Sequence, residues 1–180
     1  LYQLEQELLK DADTTELVFV TGDVKNKQRV ERLLSQYQPK VVFHAAAYKH
    51  VPLMETHNVA EALSNNVIGT HVLANAAMLA NVEKFVLIST DKAVNPTNVM
   101  GASKRLAEMV CQSLEGGAKS NTHFVIVRFG NVLGSSGSVI PKFREQIAQG
   151  GPVTVTHPEI TRFFMSIPEA AQLVMQAGLM

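Results

Sequence analysis

The sequence is poor in cysteine and has no excess of either charge. Its single cysteine, Cys111, cannot form a disulfide within the chain, which is typical of proteins from a reducing compartment. Lysine and arginine total 16, as do aspartate and glutamate, so no net field attracts the chain to nucleic acid or to an anionic membrane. We therefore expect no nucleic-acid partner, and we expect any bound anion to be held by local geometry.

Sequence signals for a metal site and for membrane insertion are also missing. The 6 histidines show none of the paired spacings that bind zinc, so the sequence predicts no metal. It contains no signal peptide and no run of about 18 apolar residues. We therefore expect a cytoplasmic location, or the cytoplasmic face of the inner membrane for a longer form.

The first residues of the chain already show the apolar spacing of a helix. Leu1, which is not methionine, shares a helical spacing with Leu4 and Leu8. We interpret the chain as an excised piece of a longer protein. Its 180 residues, 46% of them hydrophobic, still suffice for one sizeable core.

Apolar runs and amphipathic helical patterns alternate along the chain. Runs rich in valine, isoleucine and phenylalanine predict strands at residues 17–20, 41–45, 85–88 and 124–129, and 41–45 is predicted to be fully buried. Helical patterns lie at about residues 30–37, 58–80, 101–114 and 141–149, and a capping box at Ser166–Glu169 begins a final helix. This alternation predicts an α/β protein with a doubly wound parallel sheet.

One stretch, from Ile88 to Glu108, joins the end of a predicted strand to an amphipathic helix. Its polar residues lie where open α/β sheets bind ligands, at the carboxyl end of a strand. Met100 and Lys104 are i and i+4, so they share one face of the helix. The stretch is therefore the first candidate for a functional site.

The same stretch carries a family resemblance. Ser89-Thr90 followed by Met100-x-x-x-Lys104 resembles the site of short-chain dehydrogenases, in which a hydroxyl residue precedes a Tyr-x-x-x-Lys helix, with methionine here in the position of the tyrosine. Thr90-Asp91-Lys92 narrows the resemblance to the nucleotide-sugar 4,6-dehydratases of bacterial surface-polysaccharide synthesis. The most similar group is the UDP-N-acetylglucosamine 4,6-dehydratases that carry this methionine. Supporting stretches are Thr21–Val24, His44–Pro52, Arg128–Gly134, Gly137–Pro141 and Thr161–Phe163.

The resemblance implies an incomplete Rossmann-like fold of the extended short-chain dehydrogenase/reductase type. In the strand order 3-2-1-4-5-6, residues 17–20 match the third strand and residues 41–45 the fourth. The first strands are then missing, together with the Gly-rich strand–turn–helix that cradles the cofactor's pyrophosphate. Residues 1–130 are expected to form part of an NAD-binding domain and residues 131–180 part of a substrate-binding region. The piece alone is expected to be inactive.

NAD is the cofactor that the resemblance implies. Asp23 would accept a hydrogen bond from the adenine amino group while Val24 packs on the ring, although Asp23 could instead cap the next helix. Lys104 would bond the nicotinamide ribose. Lys49 would contact a phosphate or remain a solvated lysine. The other cofactor residues are Ser89, Asn66 and the three alanines Ala45, Ala46 and Ala47, whose small side chains admit a ligand but could also reflect core packing. Asn66 and Thr70 lie one helical turn apart, and they could support the loop or the nicotinamide side or form only a polar stripe on a helix.

Catalysis needs a substitute for the missing tyrosine, because the thioether of Met100 has no proton to exchange. The resemblance implies that Thr90 holds the oxygen on carbon 4 of the sugar, that Asp91 is the general acid and that Lys92 is the general base. Our hypothesis is that Asp91 also receives the proton of the carbon 4 hydroxyl. The alternative is a loop salt bridge between Asp91 and Lys92, with Met100 marking an inactive site.

The substrate residues that the resemblance implies follow the last strand of the sheet. They are Asn131, Ser138, Val139, Pro141 and Arg162, of which Arg162 suits a diphosphate because its planar fork matches phosphate geometry. Arg162 could equally form a surface ion pair.

The predicted activity is NAD-dependent dehydration of UDP-N-acetylglucosamine to a 4-keto-6-deoxy sugar nucleotide for surface-glycan synthesis. Two alternatives are a dehydratase that also inverts carbon 5 and a non-catalytic module that binds NAD or a nucleotide sugar. We expect a homo-oligomer when the protein is complete.

Overall fold

Three parallel strands form the centre of the protein. The structure is a computed structural model that describes residues 2–11, 16–116, 121–135, 137–155 and 157–180, so the predicted helical position Leu1 lies outside the described residues. The strands are β1 Val41–His44, β2 Lys84–Thr90, β3 His123–Phe129, β4 Asn131–Val132 and β5 Phe164–Met165. The helices are α1 Tyr2–Asp11, α2 Lys27–Tyr37, α3 Val51–Met54, α4 Val59–Leu63, α5 Gly69–Leu79, α6 Val99–Leu114, α7 Val139–Ala148 and α8 Ile167–Leu179.

The main sheet has the order β1-β2-β3, and both pairings are parallel. Parallel strands need covering on both faces, and the sequence of β2 meets this need because Phe85, Val86 and Leu87 are all apolar and 0% exposed. Successive side chains of a strand point to opposite faces. The predicted α/β class with a parallel doubly wound sheet is therefore confirmed.

Helices cover the two faces of the sheet in separate layers. On one face Phe85 and Leu87 pack against small side chains of α5 and α6, namely Ala74, Ala77, Ala107 and Cys111. On the other face Val86 and Val127 pack against Ala177 of α8. Full burial of each large apolar side chain contributes about 2 kcal/mol, and the alanines let the helices approach closely. Cys111 is 0% exposed in this cluster and serves there as a small apolar side chain.

Two predictions about the first strands were wrong. Residues 17–20 belong to neither sheet of the described chain, because a strand needs a hydrogen-bonded neighbour and no strand of the described residues pairs with this segment. The segment at residues 41–45 is not fully buried either. β1 is an edge strand, and Phe43 is 48% exposed.

The helix predicted over residues 58–80 is continuous but not regular. Between α4 and α5 the backbone forms a π-helical turn at Ser64–Ile68, in which Asn65 and Asn66 are buried. Periodicity does not distinguish such a turn, which widens one ring of the hydrogen-bond ladder and is often found at functional sites. The short helix α3 was not predicted.

The other helices lie close to their predicted places. The capping box of α8 is confirmed, because the Ser166 Oγ accepts from the Glu169 amide at 3.3 Å and the Ser166 amide donates to Glu169 Oε2 at 2.6 Å. Between α6 and β3 the glycine-containing sequence predicts a loop at residues 115–121, of which residues 117–120 lie outside the described residues.

A second, two-stranded sheet follows β3 at once. β4 and β5 pair in parallel, with Asn131 opposite Phe164 and Val132 opposite Met165. A Cβ atom at Gly130 would lie 2.6 Å from the Phe163 carbonyl oxygen. Only glycine therefore permits this approach, which fixes the segment of residues 161–165 beside the end of the main sheet.

Neither a membrane span nor a metal cluster is found in the part of the chain that the structure describes. None of its helices is both long enough and apolar enough to cross a bilayer. No group of three or more histidine, cysteine, aspartate or glutamate side chains is placed to share a metal ion among these residues.

Candidate active site

The carboxyl ends of the three strands open into a cleft of about 850 Å³. Ile88, Ser89 and Thr90 at the end of β2 form its floor, and Met100 and Lys104 of α6 line one side. The other walls come from the segment after β1, from the segment after β3 and from α8. Their residues include Ala45, Ala47, Tyr48, Lys49, His50, Asn131, Val132, Ser138, Val139, Ile167, Ala170, Ala171, Val174 and Met175. Open α/β sheets bind ligands at this edge.

Asp91 and Lys92 form an ion pair directly after β2. The Lys92 ammonium donates to Asp91 Oδ1 at 2.9 Å, and the Thr90 hydroxyl donates to the same oxygen at 2.9 Å. Thr90 and Lys92 line the cleft; Asp91 does not, but its carboxylate is bonded to both. Partial burial opposes ionisation of Asp91, yet the hydrogen bonds from Lys92 and Thr90 outweigh it and hold the pKa of the carboxyl below its ordinary value.

The Lys92 amine has a second hydrogen-bond acceptor, which lies on β4. Its Nζ donates to Asn131 Oδ1 at 3.1 Å, and Asn131 is the first residue of β4. The two side chains come from positions far apart in the sequence, and the parallel sheet brings them together. The Lys92 side chain is 26% exposed.

Lys104 is buried on the face of α6 that meets the end of β2. It is only 5% exposed, and its Nζ donates to the Ile88 carbonyl at 2.6 Å. Burial lowers the pKa of Lys104 to about 8, although the negative charge of Glu108 acts in the opposite direction. The amine therefore loses its proton much closer to neutral pH than an ordinary lysine.

Met100 is 4% exposed and packs in a small apolar cluster. Its partners are Met54 and Ala62, with Val51 and Val99 at the edge of the cluster. Met100 thus anchors α3 to α6 while also lining the cleft. It has a packing role at the position where the resembled enzymes carry their tyrosine.

Glu108 forms the centre of a buried polar network behind the site. It accepts from the Ser89 hydroxyl at 2.6 Å, from Arg128 Nε at 2.7 Å and from Arg105 Nη1 at 3.0 Å. Burial would raise the pKa of Glu108, but the hydrogen bonds from Arg128, Ser89 and Arg105 lower it overall. The network joins β2, β3 and α6. The bond to Glu108 also fixes the orientation of the Ser89 hydroxyl.

Asn66 supports the wall of the cleft from behind. Its Oδ1 accepts from the Tyr48 amide at 2.7 Å, while its Nδ2 donates to the Tyr48 carbonyl at 3.0 Å and to Ser103 Oγ at 2.9 Å. The residue is 0% exposed. The π-helical turn therefore places one amide between the loop after β1 and α6.

His44 and Thr70 form a second buried contact beside Asn66. Thr70 donates its hydroxyl proton to the Asn66 carbonyl at 2.6 Å, so His44 Nε2 is the donor in the 2.9 Å contact with Thr70 Oγ1. Burial lowers the pKa of His44 to about 4, and the charge of Lys104 acts in the same direction. His44 is therefore neutral at physiological pH.

The structure does not bring every predicted site residue to the cleft. Seven predicted site residues are not among its lining residues: Asp23, Val24, Ala46, Asn66, Asp91, Pro141 and Arg162. The predicted alternative for Asp23 as a helix cap was wrong, because Asn26 caps α2 by accepting from the Arg29 amide. A backbone hydrogen bond from Lys25 lowers the pKa of Asp23.

Arg162 is exposed, and its Nη1 donates to the neighbouring Thr161 carbonyl at 2.8 Å. No acidic partner of Arg162 is found in the described part of the chain, so the predicted alternative of a surface ion pair has no support there.

Ser138 has a buried side-chain hydroxyl without a hydrogen-bond partner in the described part of the chain. It occupies the N-cap position of α7 without a side-chain capping bond, and it lines the cleft. A buried hydroxyl without a partner costs free energy. An acceptor group on a ligand would satisfy it.

Several residues of the site were missed from the sequence. Glu108 could have been found, because it lies one turn after Lys104 on the same face of α6. His44 and Ser103 gave no signal, since their roles depend on contacts between distant segments. The residues of α8 that line the cleft were predicted only as part of a final helix.

The sequence of the chain is similar to a protein family and to individual proteins that span most of its length. A sequence model of the family described as "Polysaccharide biosynthesis protein" matches residues 1–180. The chain is 59% identical over 179 residues to the capsular polysaccharide biosynthesis protein CapD of Staphylococcus aureus, covering 99% of this chain and 30% of that protein. It is 43% identical over 162 residues to a UDP-glucose 4-epimerase of Rickettsia canadensis, covering 89% of this chain and 47% of the epimerase. The chain thus spans less than half of either relative.

Solved structures agree with the fold. Pen from Bacillus thuringiensis superposes with a TM-score of 0.90 at 38% identity, covering 99% of this chain and 56% of Pen. DesIV, a dTDP-glucose 4,6-dehydratase from Streptomyces venezuelae solved with NAD and TYD bound, superposes with a TM-score of 0.81 at 22% identity. That alignment covers 96% of this chain and 59% of DesIV, and at this identity it supports the fold alone.

Proposed function

Because this chain belongs to the polysaccharide biosynthesis protein family, whose sequence model matches it from residue 1 to residue 180, we propose that it carries the catalytic groups of an NAD-dependent 4,6-dehydratase. The proposed substrate is UDP-N-acetylglucosamine, and the product is a 4-keto-6-deoxy sugar nucleotide. One observation carries the proposal: Lys92 and the buried Lys104 line one cleft at the carboxyl end of β2, and the Asp91 carboxylate is bonded to Lys92 there.

The cleft suits a nicotinamide cofactor on the side formed by this chain. Ala45 and Ala47 present no side chain beyond Cβ where the chain leaves β1, and the buried Lys104 lines the same cleft from α6. In the proposed reaction NAD would take hydride from carbon 4 of the sugar and return it at carbon 6. Lys104 would bond the nicotinamide ribose, as the family resemblance implies.

The state of Asp91 fits the hypothesis that it replaces the missing tyrosine. Its lowered pKa keeps the carboxylate ionised at neutral pH, so it can accept the proton of the carbon 4 hydroxyl when hydride leaves that carbon. Asp91 then holds the proton that the carbon 6 hydroxyl needs in order to leave as water. One residue would thus serve first as base and then as acid.

Lys92 is proposed to take the proton from carbon 5. Once carbon 4 is a ketone this proton is acidic, and its removal expels the protonated hydroxyl from carbon 6. A lysine can act as a base only in its uncharged form. After hydride has reached carbon 6, the same proton returns to carbon 5, and the net change in the sugar is the loss of one water molecule.

The substrate side of the cleft suits a diphosphate. Ser138 Oγ is buried without a partner in the described part of the chain, at the N-terminus of α7. Backbone amides at a helix N-terminus favour an anion. We assign the diphosphate to this place, with Val139 and Pro141 beside it and with Arg162 closing on it from the segment before β5.

A second candidate function is 4-epimerisation of a UDP-sugar, which the 43% identity to the UDP-glucose 4-epimerase favours. That reaction needs oxidation and reduction at carbon 4 only. It leaves the proton on carbon 5 and the hydroxyl on carbon 6 in place, so it gives no task to Lys92. The dehydratase is preferred because Lys92 lines the cleft beside Asp91.

The test is incubation of the complete natural polypeptide with NAD and UDP-N-acetylglucosamine, with the product identified by NMR. A 4-keto-6-deoxy product with retained carbon 5 supports the proposal. An inverted carbon 5 indicates the dehydratase that also epimerises, and a 4-epimer without loss of water indicates the second candidate.

Variants of the ion pair complete the test. Asp91→Asn and Lys92→Ala should each lower kcat by about 10²- to 10⁴-fold, the usual contribution of a general acid or base. Lys142→Ala, at an exposed lysine of α7 that does not line the cleft, is the control. If the wild-type protein converts no sugar nucleotide and binds NAD and UDP equally well with and without the two substitutions, the chain is a non-catalytic binding module.

A further inference from the structure

The backbone of Asn131 is fixed independently of its side chain. Its amide donates to the Phe163 carbonyl at 2.9 Å, and it pairs with Phe164 across the β4–β5 sheet. Gly130, which precedes it, leaves no room for a Cβ atom against Phe163. The pairing of β4 with β5 therefore sets the direction in which the Asn131 side chain leaves the strand.

That side chain reaches the amine of Lys92. Asn131 Oδ1 accepts from Lys92 Nζ at 3.1 Å, and Asp91 Oδ1 accepts from the same nitrogen at 2.9 Å. With a single acceptor, the amine could rotate about its bond to Cε. Two acceptors on different segments fix that rotation.

The fixed rotation matters for the uncharged amine. A neutral lysine amine has two N–H groups and one lone pair. When Asp91 and Asn131 accept both N–H groups, the lone pair takes the remaining tetrahedral position. Because Lys92 lines the cleft, this is the position from which a substrate proton can be taken.

We propose that Asn131 is a positioning residue for Lys92, which orients the lone pair of the amine toward carbon 5 of the sugar and links this orientation to the pairing of β4 with β5. The proposal rests on the proposed function, since it concerns the base of that reaction. It differs from the role that the sequence predicted for Asn131, which was contact with the substrate. The two roles lead to different kinetics.

The first experiment separates binding from proton transfer. In the complete polypeptide with UDP-N-acetylglucosamine, Asn131→Ala should lower kcat by about tenfold to a hundredfold, the usual cost of removing a group that orients a reacting one. The affinity for UDP, measured by calorimetry, should change less than twofold. The kinetic isotope effect with substrate deuterated at carbon 5 should increase, because proton removal becomes the slower step.

The second experiment uses the charge of the acceptor. Asn131→Asp keeps an oxygen for Lys92 but adds a negative charge, which favours the ammonium form. The limb of the pH–rate profile that rises as the base loses its proton should therefore move about one pH unit higher. A residue that only stabilised the fold would not move this limb.

Leu133→Ala is the matched control. Leu133 directly follows β4, its amide donates to the Met165 carbonyl at 2.9 Å, and its side chain is 43% exposed and does not line the cleft. It should leave kcat, the isotope effect and the pH profile unchanged. If Asn131→Ala does not accumulate as folded protein, Asn131→Asp carries the test alone.

Three outcomes decide the inference. An increase in KM and a loss of UDP affinity, with kcat, isotope effect and pH profile unchanged, would show that Asn131 contacts the diphosphate and would overturn the positioning role. A wild-type protein that forms a 4-keto product while both Asn131 variants behave like wild type overturns the inference and leaves the proposed function standing. A wild-type protein that forms no 4-keto product overturns the proposed function, and this inference with it.

Discussion

Lys104 carries its charge in surroundings that oppose it. The residue is 5% exposed, and its Nζ donates to the uncharged carbonyl of Ile88. Glu108, one turn further along α6, favours the ammonium form but is already engaged by Ser89, Arg105 and Arg128. Burial therefore dominates, and the pKa of Lys104 falls to about 8.

This pKa predicts a pH-dependent affinity for NAD. If the Lys104 ammonium bonds the nicotinamide ribose, the bond is almost fully present at pH 7 and is progressively lost as the pH rises through the pKa of about 8. The dissociation constant of NAD for the complete protein, measured by calorimetry, should rise several-fold between pH 7 and pH 9. Lys104→Met should bind NAD weakly at every pH and show no such rise. An equal rise in Lys104→Met and in wild type would assign the effect to another group.

At the scale of elements, the site depends on the close contact between α6 and the turn that carries Asp91 and Lys92. The first turn of α6 is capped by Asn98, whose Oδ1 accepts from the Gly101 amide at 2.8 Å. A Cβ atom at Gly101 would collide with the Lys92 carbonyl oxygen and lie 3.1 Å from the carbonyl carbon. Glycine is thus required by this approach of two backbones.

Gly101→Ala should therefore displace the turn that carries Asp91 and Lys92 without unfolding α6. Alanine favours a helix interior over glycine by about 1 kcal/mol, so α6 should remain formed, while the Asp91–Ala93 turn must move away from it. We expect kcat to fall at least about tenfold, with unchanged circular dichroism. Gln112→Ala, at an exposed position of α6, is the control. Normal activity of Gly101→Ala would mean that the turn can move without loss of function.

The sequence predicted elements best where a single local pattern decides them. The capping box of α8 and the apolar runs of β2 and β3 needed no knowledge of the rest of the chain. Residues 17–20 have the same apolar character, but a strand exists only with a hydrogen-bonded neighbour. The π-helical turn at Ser64–Ile68 was equally invisible, because its buried asparagines follow from contacts with the loop after β1.

The same distinction holds for the candidate site. Asp91, Lys92 and Lys104 were predicted as one site from the stretch Ile88–Glu108 and from the family resemblance. Lys92 and Lys104 line one cleft, and Asp91, which does not line it, is bonded to Lys92. The bonds between Lys92 and Asn131 and between Glu108 and Arg128 join residues on different elements. Only the packing of the sheet brings such partners together, so their pairing could not be predicted from spacing.

For the molecule as a whole, one buried histidine couples stability to pH. His44 is 2% exposed at the end of β1, where it donates to Thr70 of α5 and lies 5.9 Å from the ring of Phe85. It joins the edge strand to the helix layer. Protonation would place a charge there, near that of Lys104.

The sign of the effect follows from the two protonation states. The pKa of His44 is 6.5 in an unfolded chain and about 4 in the fold, so above pH 6.5 both states are neutral and the full stability is present. As the pH falls from 6.5 to 4, the unfolded state gains a proton that the folded state does not, and the free energy of unfolding falls by up to about 3 kcal/mol. Below pH 4 the loss from this group is complete.

His44→Leu should therefore make the sheet less sensitive to acid. Leucine fills a similar volume and cannot be protonated, and Thr70 keeps its bond to the Asn66 carbonyl. The measurement is amide hydrogen exchange of peptides from β1 and β2 in the complete protein at several pH values between 4 and 7, corrected for intrinsic rates, since central strands exchange through large-scale opening. Protection in wild type should fall across this range more steeply than in His44→Leu. His71→Leu, the same substitution at an exposed histidine of α5, should follow wild type; equal slopes in all three proteins would show that other groups control the acid sensitivity of the core.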